Sequence, residues 1–444
     1  MATTSLPQPH FFLRGNYAPV TDELDAPDLA VSGAVPPELT GRFLRNGPNP
    51  HRGDSAHWFL GDGMLHGVEL RGGRVGWYRN RYVQTRQLHG EGEFVDDQGH
   101  VDLRVGSANT HVVGHAGRIL ALVESGFPYE VTPDLDTVGV YDFDGRLTTA
   151  MTAHPKLDPG TGELHFFGYS FLPPYLTYHV ADPDGTLVRS EPITVPGPTM
   201  IHDFNLTERH VVFMDLPIVF DLDLAATGGF PYRWDDSYGA RLGVMPRGGR
   251  DADVRWFDIE PCYVFHPLNA YEQDGSVVLD VVRYPRLWDG ANHEFDATQL
   301  TRWTIDLGAG AVKEEQLDDR HIEFPRVDPR VVGRPHRFGY ALHTPGGIGD
   351  EHSSLVKYDQ ASGETQTHDF GAGREPGEPV FAPRQASTAE DDGWVFTYVY
   401  DAARDTSDFV ILDAQNFAAA PQAVVALPQR VPFGFHGSWI PDEV

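Results

Sequence analysis

The sequence predicts an all-β fold, and the spacing of its strands suits a propeller of about seven blades. Three observations carry that expectation. Short runs of β-branched and aromatic residues recur along the chain, most of them bounded by Gly, Pro, Asp or Asn. Turn signals separate them, and 47 Gly and 35 Pro fit many turns. Long helical periodicity is scarce. In chain order, Arg118–Glu124 sets five apolar residues between charged ends, and His210–Asp215 encloses Val-Val-Phe-Met. Ser276–Arg283 carries four valines, Trp394–Tyr400 is aromatic-rich, and Asp408–Asp413 encloses Phe-Val-Ile-Leu. Asp142–Gly145, Asp182–Gly185, Asp274-Gly275 and Asp392-Gly393 mark turns. The runs imply sheet units of roughly 50–65 residues, the size of a four-stranded blade. Barrel and sandwich arrangements share this pattern.

A length of 444 residues gives a prior of about three domains, yet no composition shift or Gly/Ser linker marks a boundary. The single cysteine, Cys262, excludes an internal disulfide and a zinc ribbon, and cytoplasmic residence is the expectation. The first ten residues lack the basic and apolar regions of a signal peptide, and no apolar run approaches the ~20 residues of a membrane span. A net charge of −30 argues against nucleic acid and, more weakly, against anionic membranes. Only Lys156, Lys313 and Lys357 are lysines.

Four of the 21 histidines stand in contexts suited to one metal ion: His154 in Thr-Ala-His-Pro-Lys, His202 in Met-Ile-His-Asp-Phe, His266 in Tyr-Val-Phe-His-Pro and His436 in Gly-Phe-His-Gly-Ser-Trp. They lie 48, 64 and 170 residues apart, so only a large closed fold could join them. A propeller axis, where inner strands of different blades converge, is such a place. Neutral imidazoles suit iron, copper, zinc or nickel. His10, His51, His89, His293 and His352 have polar, turn-like surroundings and are read as surface residues. Metal-bound histidines usually donate their other N–H to a carboxylate or carbonyl. Glu124, Glu323 and Glu378, each on or beside an apolar stretch, are the candidates; exposed strand-end glutamates are the plainer reading of each.

Gly41–Pro50 with His57–His66, Val431–Trp439 and the contexts of His154, His202 and His266 together resemble the carotenoid cleavage oxygenase family. The resemblance spans roughly residues 25 to 441, leaving 1–24 as an N-terminal extension of one domain covering 1–444. It implies a seven-bladed β-propeller capped by loops and short helices. It also implies Fe(II) on the axis, held by His154, His202, His266 and His436. Glu124, Glu323 and Glu378 would orient His202, His266 and His436, and His154 would have no carboxylate partner. Thr110 matches a threonine that in some members stands beside the open iron position.

The implied reaction uses O2 to cleave a C=C bond of an apolar conjugated substrate into two carbonyl products, with no external reductant. Stilbene-cleaving relatives carry a Lys before the first of these glutamates and a Tyr upstream; here Val123 holds the first position, and no counterpart of the Tyr is evident. That favours a carotenoid or apocarotenoid over a hydroxystilbene, with a phenylpropenoid such as isoeugenol as the alternative. A retinoid-type isomerase is a further alternative, distinguished by labelled O2, and a non-catalytic binding propeller is a third. Phe59, Val123, Phe127, Phe171, Phe265 and Phe324 are the tunnel candidates, with Tyr129, Tyr175 and Trp439; packing in the blades is the plainer reading of each ring. The apolar loop Phe171–Leu176 suits either a membrane contact or a buried lid.

Overall fold

The computed structural model describes residues 10–288, 295, 297–347 and 352–442. Seven sheets follow one another along the chain. The first blade is Asp25–Ala26, Arg74–Tyr82, Gly63–Arg71, Gly41–Pro48 and, innermost, Gly437–Pro441. Blades two to six are consecutive four-stranded meanders whose inner strands are His111–His115, Lys156–Leu157, Phe204–Leu206, Tyr263–Gln273 and Ile322–Arg326. The seventh sets Arg374–Pro376 and Val380–Pro383 along Gly393–Asp401, continues through Thr406–Asp413 and Ala423–Ala426, and ends on Val31–Gly33. The ring is thus latched twice. An N-terminal strand completes the seventh blade and a C-terminal strand completes the first.

The strand patterns follow from how blades stack. Middle strands such as Ser276–Tyr284 and Gly393–Asp401 face neighbouring blades on both sides and are buried nearly throughout, so they read as continuous apolar runs. The outermost strand Leu187–Ile193 alternates in burial because one of its faces is solvated. Inner strands are edges toward the axis, where an imide nitrogen costs no ladder bond. Prolines accordingly stand at 155, 267, 325 and 379, just beyond His154, His266, Glu323-Phe324 and Glu378.

The cap is built from short pieces. Three-residue 3₁₀ turns at Phe11–Leu13, Gly15–Tyr17 and Trp58–Leu60 bury Phe12, Tyr17 and Trp58. The start of the expected N-terminal extension, residues 1–9, lies outside the described residues, and Phe12 and Tyr17 of the remainder pack into the cap. A two-stranded ribbon, Ile218–Phe220 with Tyr232–Trp234, adds to it. Leu222–Ala226 is helical, its N-terminus capped by the Asp221 carboxylate accepting from the Asp223 and Leu224 N–H groups.

Candidate metal centre

Each blade contributes one histidine of the tetrad or one glutamate behind it, beside or within its inner strand except for Glu124, which follows the blade's second strand, Arg118–Leu122. In blade order they are His436, Glu124, His154, His202, His266, Glu323 and Glu378. Local irregularities aim them. The register of blade five shifts around His266-Pro267 and that of blade six between Glu323 and Arg326. Phe324 takes a left-handed φ of 50°, which breaks the strand's alternation so that Glu323 and Phe324 both reach the site. His436 depends on its glycines: a Cβ on Gly434 would collide with the Arg45 guanidinium, and one on Gly437 would press on the Leu44 carbonyl.

The four histidines are buried, and one ring nitrogen from each lies within 4.8 Å of those of the other three. Nε2 of His202 stands 3.0 Å from that of His154 and 3.1 Å from that of His266. Such contacts between like lone pairs make sense around a cation. On the far side of three of the rings, Nδ1 meets a carboxylate. His266 Nδ1 lies 2.6 Å from Glu323, His436 Nδ1 lies 2.8 Å from Glu378, and His202 Nδ1 pairs with Glu124. These contacts put the proton on Nδ1 and leave Nε2 as the lone-pair donor. His154 Nδ1 is 3.6 Å from Asp203, beyond hydrogen-bond length. Burial holds His154 and His436 neutral, well below the usual imidazole range, with the neighbouring histidines adding to the effect. Burial works to raise Glu323, but His266, the Tyr284 hydroxyl and the Phe324 N–H outweigh it and keep the carboxyl ionised. Four buried imidazoles, three of them backed by carboxylates, fit a borderline divalent metal such as iron.

The outer partners divide the site. Tyr169 donates to Glu124 at 2.6 Å and Tyr284 to Glu323 at 2.7 Å. Glu378 instead accepts from Arg326 Nε at 2.8 Å and from the Gly437 N–H at 2.7 Å. Asp203 is held by Lys156 Nζ at 2.7 Å. Sequence reading missed Tyr169, Tyr284, Arg326, Lys156 and Asp203. The prolines placed beyond the axial residues were the available signal for Lys156 and Arg326, each of which directly follows one.

Phe265 and Phe435, which precede His266 and His436, form an aromatic wall with Phe59 and Phe324, and the other side of the histidines opens on a channel that carries several charged residues. Phe265 meets His202 edge-on at 5.0 Å, and Phe324 lies 5.4 Å from His266 and 5.2 Å from His436. Phe59 bridges Phe265 and Phe435 at 6.1 and 5.4 Å. Phe171 stands farther out and is joined to the wall by a file of rings, through Phe220, Tyr232 and Phe230 to Phe59. Phe127 packs in the core between blades two and three, and Val123 packs over Gly106, so the structure does not bring either to the wall. Thr110 donates its hydroxyl to Asn109 at 2.9 Å, and its carbonyl accepts from the His436 N–H at 3.0 Å. His10, His51, His89 and His352 are exposed, and His293 lies outside the described residues. The channel, a cavity of about 1060 Å³ lined by inner-strand residues, reaches His154, His266 and His436. Lys156, Asp203, Arg326 and Glu378 line it as well.

The family model described as retinal pigment epithelial membrane protein matches residues 17–441. A carotenoid cleavage oxygenase of Mycobacterium tuberculosis is 44% identical over 490 aligned positions, covering 97% of each chain. A carotenoid 9,10(9',10')-cleavage dioxygenase of Crocus sativus is 36% identical, covering 98% of this chain and 90% of its own. Among solved structures, the lignostilbene dioxygenase of Pseudomonas brassicacearum superposes with a TM-score of 0.87 at 33% identity, over 99% of this chain and 100% of that one. A variant of the Synechocystis apocarotenoid oxygenase gives 0.87 at 30%, over 97% and 98%. With the propeller, the four axial histidines and these likenesses together, the chain belongs to the carotenoid cleavage oxygenase family.

Proposed function

We propose that the four histidines hold one Fe(II) and that the protein uses O2 to cleave a C=C bond of an apolar conjugated substrate, a carotenoid or apocarotenoid, into two carbonyl products. The observation that carries this reading is the aromatic wall of Phe59, Phe265, Phe324 and Phe435 against the histidine rings. Bound iron would supply the binding and activation of O2. The reaction balances without a reductant, because both oxygen atoms end in the two carbonyls. The chain's own part is positional. The wall excludes water and offers rings on which a polyene stacks, and the buried glutamates fix the ring orientations.

The choice of a polyene over a hydroxystilbene rests on Val123, whose side chain offers a phenol no hydrogen bond. A buried phenol oxygen without a partner costs about 1–3 kcal/mol, roughly 5–150-fold in selectivity. The likeness to the Pseudomonas lignostilbene dioxygenase keeps a stilbene or phenylpropenoid as the second reading. The test is incubation of the Fe(II)-loaded protein with apocarotenals, carotenoids, hydroxystilbenes and isoeugenol under ¹⁸O2, with products identified by mass. Two carbonyl fragments, each carrying label, support the proposal. Cleavage of the hydroxystilbene in clear preference would overturn the substrate, and an unlabelled isomer would overturn the reaction.

The ring file that ends at Phe171 supports an entry route from a cytoplasmic membrane surface. Leu172 and Leu222 are 46% and 74% exposed, and stacking of Phe171 on Phe220 at 4.9 Å brings their loops together. An apolar tip on a chain of net charge −30 suits uncharged rather than anionic lipid. Among the described residues no helix is long and apolar enough to cross a membrane.

A further inference from the structure

The four ligands fall into two kinds. His202 and His266 are backed by carboxylates that accept from neutral tyrosine hydroxyls, Tyr169 on Glu124 and Tyr284 on Glu323. The carboxylates nearest His154 and His436 are held by cations, Lys156 on Asp203 and Arg326 on Glu378. The two kinds come from different blades: His202 and His266 from blades four and five, His154 and His436 from blades three and one, the last two with ring centroids 4.5 Å apart. Both cations line the axial channel, whereas neither tyrosine does.

We propose that Lys156 is a positioning residue that withholds Asp203 from His154 and so keeps His154 the weakest donor of the set. Lys156 Nζ sits 2.7 and 3.0 Å from the two Asp203 oxygens. One of those oxygens also accepts from the Phe204 N–H at 2.6 Å. The other points toward His154 Nδ1 but stops at 3.6 Å. The carboxylate has the right position for a fourth carboxylate–histidine pair and lacks only the last half-ångström of approach. A lysine against both oxygens removes the charge that would draw the Nδ1 proton. Without that pull His154 gives less electron density through Nε2, since a carboxylate on the far nitrogen is what raises the basicity of a metal-bound imidazole. Arg326 damps Glu378 in the same sense, but there the pair to His436 is made at 2.8 Å. The site would thus hold its metal from one side more firmly than from the other.

The inference rests on the reading that the site holds a metal, and the experiment separates the two. Protein loaded anaerobically with Fe(II) is challenged with a colorimetric Fe(II) chelator, and the rate of iron loss is followed. Lys156→Met should lose iron about tenfold more slowly than the unaltered protein, the low end of the effect of such outer partners on metal affinity. Lys156→Arg, which keeps the cation, should match the unaltered protein, and Lys156→Met/Asp203→Asn should lose the gain because an amide is no anion. The Fe(III)/Fe(II) midpoint potential of Lys156→Met should also fall, as a stronger donor favours the oxidised ion. Iron loss at the unaltered or a faster rate in Lys156→Met overturns the inference, as does a gain that survives in the double variant. Should Lys156→Met fail to fold, Lys156→Gln reads the same quantity. If the unaltered protein retains no iron at all, the metal assignment itself fails.

Discussion

On one side of the four histidines the neighbouring side chains are rings; on the other they are charges. The wall of Phe59, Phe265, Phe324 and Phe435 has no ionised member, while the channel side carries Lys156, Asp203, Arg326 and Glu378. A dication against hydrocarbon alone would be prohibitively costly to desolvate, and the same dication in a polar cavity would sit in water. Dividing the two environments between the faces of one ring of ligands would let a metal be neutralised from one side while an apolar substrate of the proposed kind is met by rings on the other. The division is made by residues on both sequence sides of the axial groups: Phe265 and Phe435 precede His266 and His436, Phe324 follows Glu323, and Lys156, Asp203 and Arg326 follow within three residues of an axial side chain.

The largest break of that comparison is removal of a ligand. His436→Ala should abolish cleavage and lower bound iron far below one per chain, while the melting temperature of the metal-free protein stays within a few degrees. Packing is spread over seven blades, so one lost side chain should not unfold them. Product analysis, iron content and a thermal melt check it, and retained activity would falsify the site. Glu323→Gln is milder. It keeps the shape and removes the anion behind His266, so metal affinity or activity should fall on the order of 10–100-fold. Titration with Fe(II) reads it, and an unchanged affinity would show that an amide oxygen orients the His266 ring as well as the carboxylate does.

A pH series sharpens the contrast between buried and exposed histidines. Burial holds His66, His111, His154 and His436 well below their ordinary range and brings His165 and His179 down to about 4. In the unfolded chain each would protonate near 6.5. As pH falls below about 6.5 the unfolded state therefore binds protons that the folded state refuses. Stability is full above that value and is lost on the way down, by at most about 1.4 kcal/mol per pH unit for each group. Melts of the metal-free protein should show a steep decline between pH 6.5 and about 4; a flat profile would mean that these rings protonate without unfolding. The smallest expected effect lies at the cap tip. Leu172→Asp should weaken co-sedimentation with phosphatidylcholine vesicles and leave turnover of a detergent-dispersed substrate unchanged.

Much of this was legible in the sequence because blade stacking writes itself into local pattern. Arg118–Glu124, His210–Asp215 and Ser276–Arg283 read as strands since both faces of a middle strand are buried, and they are strands at Arg118–Leu122, His210–Asp215 and Ser276–Tyr284. The axial histidines were legible through their neighbours: Gly434 must clear Arg45, and Pro155 and Pro267 mark strand edges toward the axis. Tyr169 and Tyr284 were not legible. Each sits at the outer end of an ordinary apolar strand, and what sets it apart is a carboxylate brought from another blade, 45 and 39 residues away. The same holds for Asp203, adjacent to a ligand in sequence yet defined by Lys156, which comes from blade three.

The inner strand of the first blade, Gly437–Pro441, is the last of the described strands in chain order, and His436 immediately precedes it. During synthesis the first three histidines are therefore made at least 170 residues before the fourth. A truncated or stalled product can fold most of its blades yet never present a complete tetrad. Capture of a metal by the tetrad would therefore report that His436 has been made and that the ring has closed through Gly437–Pro441.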